Sequence, residues 1–318
     1  MRLAVLVEQL LGPTPGGTGR FTRELATALA AGKHAGDVLT GWTARHADVG
    51  AAAIDGIEGP RPLSLPAPVL ARLWPRGLGP GPRDADVVLA PTVLAPPRRR
   101  GGPALVVAVH DAVPWTAPET QTPHSVRFHR AIIRRIAADA DAVVVPTRAV
   151  ADELARRVPA LTGPRVHVIG EGAADAVTIP PADAEVRALR LGLPDRYLLL
   201  VGTLEPRKGI DTAIAALAAP GAPDLPLLLV GQPGWGAIDP IELARSAGLA
   251  PGRVQPLGRL DDPDLAVTYA RASAVLVPSR DEGFGLPVVE AMAHGTPVVV
   301  ADVPALVETA GGAAEVVP

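Results

Sequence analysis

The 318-residue chain contains no cysteine, and aromatic residues make up only 3% of it. Without cysteine the protein has no disulfide, no thiolate metal site and no cysteine nucleophile, which is compatible with a reducing compartment such as the cytoplasm. A basic stripe interleaved with aromatic side chains, which is typical of nucleic-acid binding, is also missing, and the pI is about 6.2. We therefore expect no nucleic-acid partner.

Long apolar runs are absent as well, since no stretch approaches the roughly 20 apolar residues of a membrane-spanning helix. The amino-terminal run 1–7 is short and is followed by Glu8, so it indicates a buried strand rather than a signal peptide. The sequence also lacks a dense cluster of Asp and His residues of the kind that holds a metal ion. We expect a cytoplasmic protein whose contact with a membrane is at most peripheral.

Hydrophobic residues make up 48% of the chain and charged residues 20%, which is enough for buried cores in two domains of ordinary size. Short apolar runs alternate with amphipathic segments, and this pattern predicts α/β domains with parallel sheets and helices on both faces. We place the domains at 1–175 and 176–318. Residues 59–83 are rich in Pro and Gly and lack periodicity, so we expect a long surface loop there.

The stretch 278–297 predicts a strand end, a glycine loop and a helix, with Pro287 in the first turn of the helix and Gly295 at its end. Glu282 precedes this helix and Glu290 lies in its opening turns. Carboxylates accept hydrogen bonds from the vicinal hydroxyls of a sugar or a ribose, and loop N–H groups at a helix start bind anions. The pattern favours a nucleotide-sugar pocket in which both carboxylates face one small space. For either glutamate alone, an ordinary surface position is the alternative.

A second informative stretch follows the apolar run 197–201, where Gly202 opens a turn that contains Glu205, Arg207 and Lys208. Two adjacent cations at the carboxyl end of a strand neutralise a diphosphate without a metal, Arg through its planar fork and Lys as a point charge. Cations at the start of a helix oppose the helix dipole. A binding role therefore explains the pair better than simple exposure at a helix start.

The amino-terminal half has two weaker signals. A glycine-rich turn at 12–20 follows the first strand, and its backbone N–H groups can approach a phosphate or substrate. It is not the dinucleotide motif, since Thr22 stands where a third glycine is needed, and it is not a P-loop, since no Lys-Ser/Thr follows. His110 follows the predicted strand 104–109, where ligand groups gather in α/β sheets. A hydrogen-bonded loop histidine is the alternative.

These features together closely resemble the retaining glycosyltransferases of family 4, which have the GT-B fold. Glu282 and Glu290 match the two glutamates that this family separates by seven residues, and the Glu-Pro-Arg-Lys sequence at 205–208 resembles the donor-diphosphate motif of a mannosyltransferase-like subgroup. In the first half, the glycine loop and the His110-Asp111 pair resemble loops of the same family. The family usually has Asn-Gly where this chain has Glu171-Gly172, so residue 171 receives no role.

The resemblance implies two Rossmann-like domains facing across a cleft that contains the active site. A sugar, with mannose favoured, would move from a GDP- or UDP-linked donor to an acceptor hydroxyl with retention of configuration, in cell-surface polysaccharide or glycolipid synthesis. No metal or cofactor is implied, and no carboxylate is an evident nucleophile. The implied catalytic residues are His110, Arg207, Lys208 and Glu282. The implied donor-binding residues are Gly16, Gly17, Gly19, Gly202, Arg207, Lys208, Glu282, Gly283, Phe284, Gly285, Leu286 and Glu290.

Two other functions stay open at this point. One is a phosphorylase of the same fold that uses a sugar phosphate, and the other is a non-catalytic protein that binds a nucleotide sugar. Members of the family ordinarily continue with further helices beyond the point where this chain ends. We therefore expect either a truncated chain or a minimal variant.

A helix predicted at 124–138 places Arg127, Arg130 and Arg134 on one face, with Arg135 beside them. Such a stripe is usually a solvated face. A glycan or lipid-linked acceptor would give it a second use, because a basic face binds anionic lipid. Peripheral contact with an anionic membrane is therefore a hypothesis that the sequence supports.

Overall fold

The computed structural model describes residues 1–13 and 16–318, and the chain divides into two units. The first unit comprises Met1–Trp115 and Pro123–Gly170, and the second comprises Thr116–Thr122 and Glu171–Pro318. Thr14 and Pro15, which belong to the predicted glycine-rich turn, lie outside the described residues. None of the helices in the described ranges is long and apolar enough to cross a membrane.

The first unit is built on seven parallel strands: β1 (Arg2–Leu6), β2 (Val38–Thr43), β3 (Glu58–Pro62), β4 (Val87–Ala90), β5 (Ala104–Ala108), β6 (Ala142–Val145) and β7 (Val166–Val168). Their order in the sheet is β3-β2-β1-β4-β5-β6-β7. The helices of this part of the chain are α1 (Gly16–Ala31), α2 (Ala67–Leu73), α3 (Val113–Thr116), α4 (Pro123–Asp139) and α5 (Arg148–Arg157).

Alternation along β1 shows why this sheet is covered on both faces. Successive side chains of a strand point to opposite faces, and here Ala4 and Leu6 join one buried cluster whereas Leu3 and Val5 join another. Both sets are apolar, so neither face of the strand tolerates water. Helices on the two faces complete these clusters, which makes the unit a three-layer α/β structure.

The predicted surface loop at 59–83 is wrong. The chain forms β3, α2 and a turn of 3₁₀ helix at Trp74–Arg76, and it buries Leu70 and Trp74, whose indole Nε1 donates to the Pro80 carbonyl at 3.0 Å. β3 lies at the edge of the sheet, where prolines are tolerated because one side of the strand needs no partner. A seven-residue helix is also too short to show a clear period.

The second unit has six parallel strands: β8 (Leu198–Val201), β9 (Leu227–Val230), β10 (Val254–Gly258), β11 (Ala274–Val277), β12 (Val298–Ala301) and β13 (Glu315–Val317). Their order is β10-β9-β8-β11-β12-β13. Its helices are α6 (Asp175–Thr178), α7 (Ala184–Leu191), α8 (Ile210–Ala218), α9 (Pro240–Ser246), α10 (Asp262–Arg271), α11 (Leu286–Ala293) and α12 (Pro304–Ala310).

Both sheets have the doubly wound Rossmann order, since each unit's strands, counted from its own first one, begin 3-2-1-4-5-6. The predicted α/β fold with parallel sheets is confirmed. In each sheet the strand order reverses beside the first strand, between β1 and β4 in one unit and between β8 and β11 in the other. Ligands of such sheets bind outside the carboxyl ends of the strands at this reversal.

Candidate functional site

The reversal point of the second sheet brings together three of the charged residues singled out in the sequence. Arg207 and Lys208 lie on a short 3₁₀ turn after β8, and Glu282 lies in the loop after β11. β8 and β11 are hydrogen-bonded neighbours with parallel strands, so the segments that follow them leave the sheet at the same edge. Residues 74 positions apart in the chain therefore meet through the topology of the sheet.

The Glu282 carboxylate binds both cations. Its Oε2 lies 2.8 Å from Arg207 Nη1, and its Oε1 lies 2.5 Å from Lys208 Nζ. Burial alone would raise the pKa of Glu282, but the positive charges of Arg207 and Lys208 more than offset it and lower the pKa to about 2. Glu282 is thus ionised at neutral pH, although its side chain is only 10% exposed.

Two residues to which the sequence analysis gave no role, Ser279 and Glu205, hold this cluster in place. The Ser279 hydroxyl, which is 1% exposed, donates to Glu282 Oε1 at 2.9 Å. Glu205 Oε1 accepts from Arg207 Nη2 at 2.9 Å. Because Glu205 belongs to the Glu-Pro-Arg-Lys sequence, its position near Arg207 could have indicated this contact. No pattern in the sequence distinguishes Ser279 from other serines.

Close backbone approach fixes the turn that presents the two cations. A Cβ atom on Gly209, which has φ +65°, would lie 2.0 Å from the Pro278 carbonyl oxygen. The Arg280 backbone N–H donates to the Arg207 carbonyl at 2.8 Å. Gly202 packs against the aliphatic stem of Lys208, because a Cβ atom on Gly202 would lie 3.3 Å from Cδ and Cε of the lysine. Glycine at both positions therefore lets the turn contact the Glu282 loop and the lysine stem directly.

The loop after Glu282 leads directly into α11. Gly283 and Gly285 are buried, Phe284 and Leu286 are half-buried, and Gly285 is the N-cap residue with φ +94°. A glycine N-cap has no side chain with which to cap the helix, so no side-chain hydrogen bond is made there. The structure thus places the predicted loop at the positive end of an eight-residue helix.

Glu290 has different surroundings from Glu282. It lies in the second turn of α11 with 2% of its surface exposed, and its Oε2 accepts a hydrogen bond of 2.7 Å from the hydroxyl of Tyr269 on α10. Cations bind the first carboxylate and a tyrosine binds the second. That both carboxylates face one ligand space stays a prediction.

His110 and the three glycines lie in the first unit. His110 follows β5, and its Nε2 donates to the Pro91 carbonyl, which follows β4, at 2.7 Å. The edge of its ring contacts Phe21 of α1, with ring centroids 4.7 Å apart. His110 therefore lies beside α1 at the carboxyl edge of the first sheet, close to the reversal between β1 and β4.

The predicted glycine turn needs a correction, because α1 already begins at Gly16. Gly16, Gly17 and Gly19 belong to the first turns of the helix and not to a turn before it. Glycine has low helix propensity, but packing against the rest of a domain overrides propensity. Gly19 is buried, so α1 is packed at that residue, whereas Gly16 and Gly17 are exposed.

The predicted basic face of α4 is smaller than expected. Arg135 is 9% exposed and donates to the Ala95 carbonyl at 2.8 Å and to the Asp139 carboxylate at 3.0 Å, so it belongs to the interior. Arg130 donates to a backbone carbonyl of its own unit. Arg127 and Arg134 are exposed. Contact with anionic lipid stays a prediction that rests on these two residues.

Within 1–13 and 16–318, no group of three or more His, Asp or Glu residues is arranged to hold a metal ion. At the reversal of the second sheet, Arg207 and Lys208 supply two positive charges. A cluster of this kind can hold a phosphate group and a hydroxylated ligand side by side.

Comparison with known families shows two matches that together span most of the chain. The family described as Glycosyltransferase Family 4 matches residues 15–175, about half of the chain, and the family described as Glycosyl transferases group 1 matches residues 182–314.

Two curated relatives illustrate the similarity. The O-antigen chain mannosyltransferase B of Escherichia coli is 40% identical over 120 residues, which cover 37% of this chain and 31% of the relative. The D-inositol 3-phosphate glycosyltransferase of Rhodococcus opacus is 36% identical over 180 residues, which cover 54% of this chain and 40% of the relative. The chain thus matches well under half the length of each relative.

Solved structures resemble the whole chain. Sucrose-phosphate synthase from Thermosynechococcus elongatus superposes with a TM-score of 0.73 at 24% identity, covering 100% of this chain and 86% of that one. HepE of Anabaena, in a complex with UDP-glucose, superposes with a TM-score of 0.69 at 21% identity, covering 100% and 85%. At these identities the likeness is one of fold.

Proposed function

The chain belongs to glycosyltransferase family 4 and has the GT-B fold, and from this premise we propose that it is a retaining glycosyltransferase that uses a nucleotide diphosphate sugar. One observation carries the proposal: Arg207, Lys208 and Glu282 meet at the reversal of the second sheet. This is the place where Rossmann-like sheets bind nucleotides. The cluster combines cations for a diphosphate with a carboxylate for sugar hydroxyls.

Each residue of the cluster has a distinct task in the proposed reaction. Arg207 and Lys208 bind the donor diphosphate and stabilise the charge that develops on the leaving group, and no metal ion is needed for this. Glu282, which is ionised at neutral pH, accepts hydrogen bonds from hydroxyls of the donor sugar. Backbone N–H groups of 283–285 assist it at the start of α11. Glu290 accepts from the ribose hydroxyls.

The residues of the first unit complete the proposed assignment. By the family resemblance, the proposal assigns His110 to the donor sugar and the glycines at the start of α1 to the phosphates and the acceptor. The bond between the anomeric carbon and the leaving phosphate oxygen breaks, the acceptor oxygen bonds to the same face of that carbon, and the acceptor proton passes to the leaving phosphate oxygen. The sugar thus retains its configuration without a covalent enzyme intermediate. Consistent with this, Glu282 is held by two cations and a hydroxyl, which makes it a poor nucleophile.

Mannose is the sugar we favour, with GDP as the nucleotide and a polysaccharide or glycolipid as the acceptor. The Glu-Pro-Arg-Lys sequence and the similarity to an O-antigen chain mannosyltransferase support this choice. A structural neighbour binds UDP-glucose, which supports a nucleotide sugar in general and makes UDP sugars the first comparison.

A binding panel tests the proposal. GDP, UDP, ADP and their common sugars are added to the wild type and to Glu290→Ala while thermal unfolding is followed. Since a ligand that binds the native state raises the melting temperature, we expect one nucleotide to stabilise the protein selectively and to do so less in the variant. No shift with any of these ligands would overturn the assignment of the site.

Turnover measurements then separate the remaining functions. We expect nucleoside diphosphate to be released from the bound donor at the same rate with and without EDTA. Loss of transfer in EDTA would contradict metal independence. Binding without turnover would favour a non-catalytic nucleotide-sugar-binding protein, and turnover that depends on phosphate without nucleotide release would favour a phosphorylase.

A lysine substitution provides a matched control. The chain has two lysines, Lys208 in the cluster and Lys33 shortly after the end of α1. The Nζ of Lys33 donates to the Gly56 carbonyl at 3.0 Å. Lys208→Met is expected to weaken nucleoside diphosphate binding at least tenfold, since a charge-assisted hydrogen bond to phosphate contributes about 1.5–3 kcal/mol. Lys33→Met is expected to leave binding unchanged.

A further inference from the structure

Glu290 is held by a residue that no pattern in the sequence singled out. Its Oε2 accepts from the hydroxyl of Tyr269 at 2.7 Å, and both side chains are almost completely buried, at 2% and 0% exposure. A hydrogen bond away from water is electrostatically stronger than the same bond in water. The bond connects α10 to α11, so it joins two separate elements of the second unit.

The tyrosine is itself fixed on two further sides. Its ring stacks on His294, with centroids 6.1 Å apart and planes inclined by 16°. The Nε2 of His294 donates to the Val177 carbonyl at 2.7 Å, and the hydroxyl of Thr296 donates to the Tyr269 carbonyl at 2.8 Å. Ring face and backbone are therefore both anchored, and the direction from which the Tyr269 hydroxyl approaches Glu290 is set.

We propose that Tyr269 is a positioning residue that orients the Glu290 carboxylate for the ribose of the nucleotide. This inference rests on the proposed function, in which Glu290 accepts from ribose hydroxyls. A carboxylate has two oxygens with acceptor lone pairs, and the Tyr269 hydroxyl donates to one of them, Oε2. The terminal torsion of a glutamate is broad, so a donor fixed on one oxygen selects the plane of the carboxylate. A carboxylate accepts hydrogen bonds from two vicinal hydroxyls of a ribose only when the carboxylate plane faces both hydroxyls.

The chain offers a closely matched control, because its two tyrosines are both fully buried and both donate one hydrogen bond from the hydroxyl. The Tyr197 hydroxyl donates to the backbone carbonyl of Thr268 at 2.7 Å and not to Glu290. Tyr269→Phe and Tyr197→Phe each remove a single buried hydroxyl and keep the ring. A purely structural role for Tyr269 predicts similar effects of the two substitutions.

The experiment compares ligands with and without ribose hydroxyls. Isothermal titration measures the affinity of GDP, UDP and their 2′,3′-dideoxy counterparts, together with inorganic pyrophosphate, for the wild type and for the two tyrosine variants. In Tyr269→Phe we expect the affinity for the preferred ribonucleotide to fall about tenfold, while the affinities for its dideoxy counterpart and for pyrophosphate stay the same. Tyr197→Phe is expected to leave all of these affinities unchanged.

The outcomes separate this inference from the proposal on which it rests. Suppose that the wild type prefers the ribonucleotide, that Glu290→Gln removes this preference and that Tyr269→Phe keeps it. In that case the positioning role of Tyr269 is wrong, but the ribose site at Glu290 stands. If the wild type does not distinguish ribonucleotide from dideoxynucleotide, the ribose site itself is wrong and the positioning role fails with it. Equal losses of affinity for all the ligands in Tyr269→Phe would show a purely structural role and would also overturn the inference.

Discussion

The ion pairs of Glu282 predict a specific dependence of stability on pH. Arg207 and Lys208 lower the pKa of Glu282 from an ordinary 4.5 to about 2, so the folded protein holds the charged form more tightly than the unfolded chain does. A pKa depressed in this way contributes stability that is complete above the unfolded pKa of 4.5 and is lost as the pH falls toward 2. The full contribution is about 3 kcal/mol, of which about 1.5 kcal/mol is lost by pH 3.5.

Replacing Glu282 by Gln removes this titration. The free energies of unfolding of wild type and variant are therefore expected to differ most at pH 7, and the difference is expected to narrow by about 1.5 kcal/mol at pH 3.5. Urea-dependent hydrogen exchange, read by mass spectrometry on peptides from β8 and β11, measures the free energy for the second unit alone. A narrowing of this size corresponds to roughly a tenfold change in the opening equilibrium.

Glu185→Gln is the control for this measurement, because the Glu185 carboxylate is 80% exposed and pairs with Arg271 at the surface. Exposed pairs contribute little, so this variant is expected to follow the wild type at every pH. A difference between wild type and Glu282→Gln that stays constant from pH 7 to pH 3.5 would refute the reasoning, since it would mean that Glu282 does not titrate differently in the folded protein.

Three further substitutions test the site and the corrected part of the fold. Glu205→Gln removes one anion from Arg207 and is expected to tighten pyrophosphate binding by about threefold or more in isothermal titration; unchanged or weaker binding would contradict the charge assignment. Gly209→Ala places a Cβ against the Pro278 carbonyl and is expected to lower the unfolding free energy of the second unit by more than about 2 kcal/mol in thermal unfolding. The control Gly192→Ala has a similar φ but open space around it, so it is expected to lower the unfolding free energy by only about 1 kcal/mol. Trp74→Ala is expected to cost about 3–5 kcal/mol in urea unfolding, and a loss below 1 kcal/mol would restore the surface-loop interpretation.

The parts of the fold that the sequence predicted are those whose burial is continuous. β8 and β9 are runs of leucine and valine buried on both faces, which is typical of the centre of a parallel sheet. Elements that lie at edges or are short leave weaker signals in the sequence. All three residues of the edge strand β13 are exposed, so no alternation marks it. α9 has seven residues, although Asp239 caps its first turn through two backbone N–H groups, a signal that a search for N-caps would have found.

The candidate site divides in the same way. Glu282, Arg207 and Lys208 could be selected as candidates because charged residues next to glycines at strand ends have few structural explanations. Ser279 and Tyr269 were missed because each is distinguished only by a hydrogen bond to a glutamate carboxylate, which the folded structure shows and the sequence pattern does not. Local spacing in the sequence can select charged candidates of this kind, but it does not select the residues that hydrogen-bond to them from elsewhere in the fold.

Under the proposed function, the charges of the cluster constrain how a donor binds. Arg207 and Lys208 supply two positive charges, and Glu205 and Glu282 supply two negative ones at hydrogen-bonding distance. The cluster is thus neutral as it stands, and a diphosphate competes with the carboxylates for the same N–H groups. Under the proposed function, a donor that engages both cations weakens their hold on Glu282, and the carboxylate then gains hydrogen bonds from the sugar. Binding of the diphosphate and recognition of the sugar are therefore linked through one side chain, so a nucleoside diphosphate without its sugar should bind better to Glu282→Gln than to the wild type.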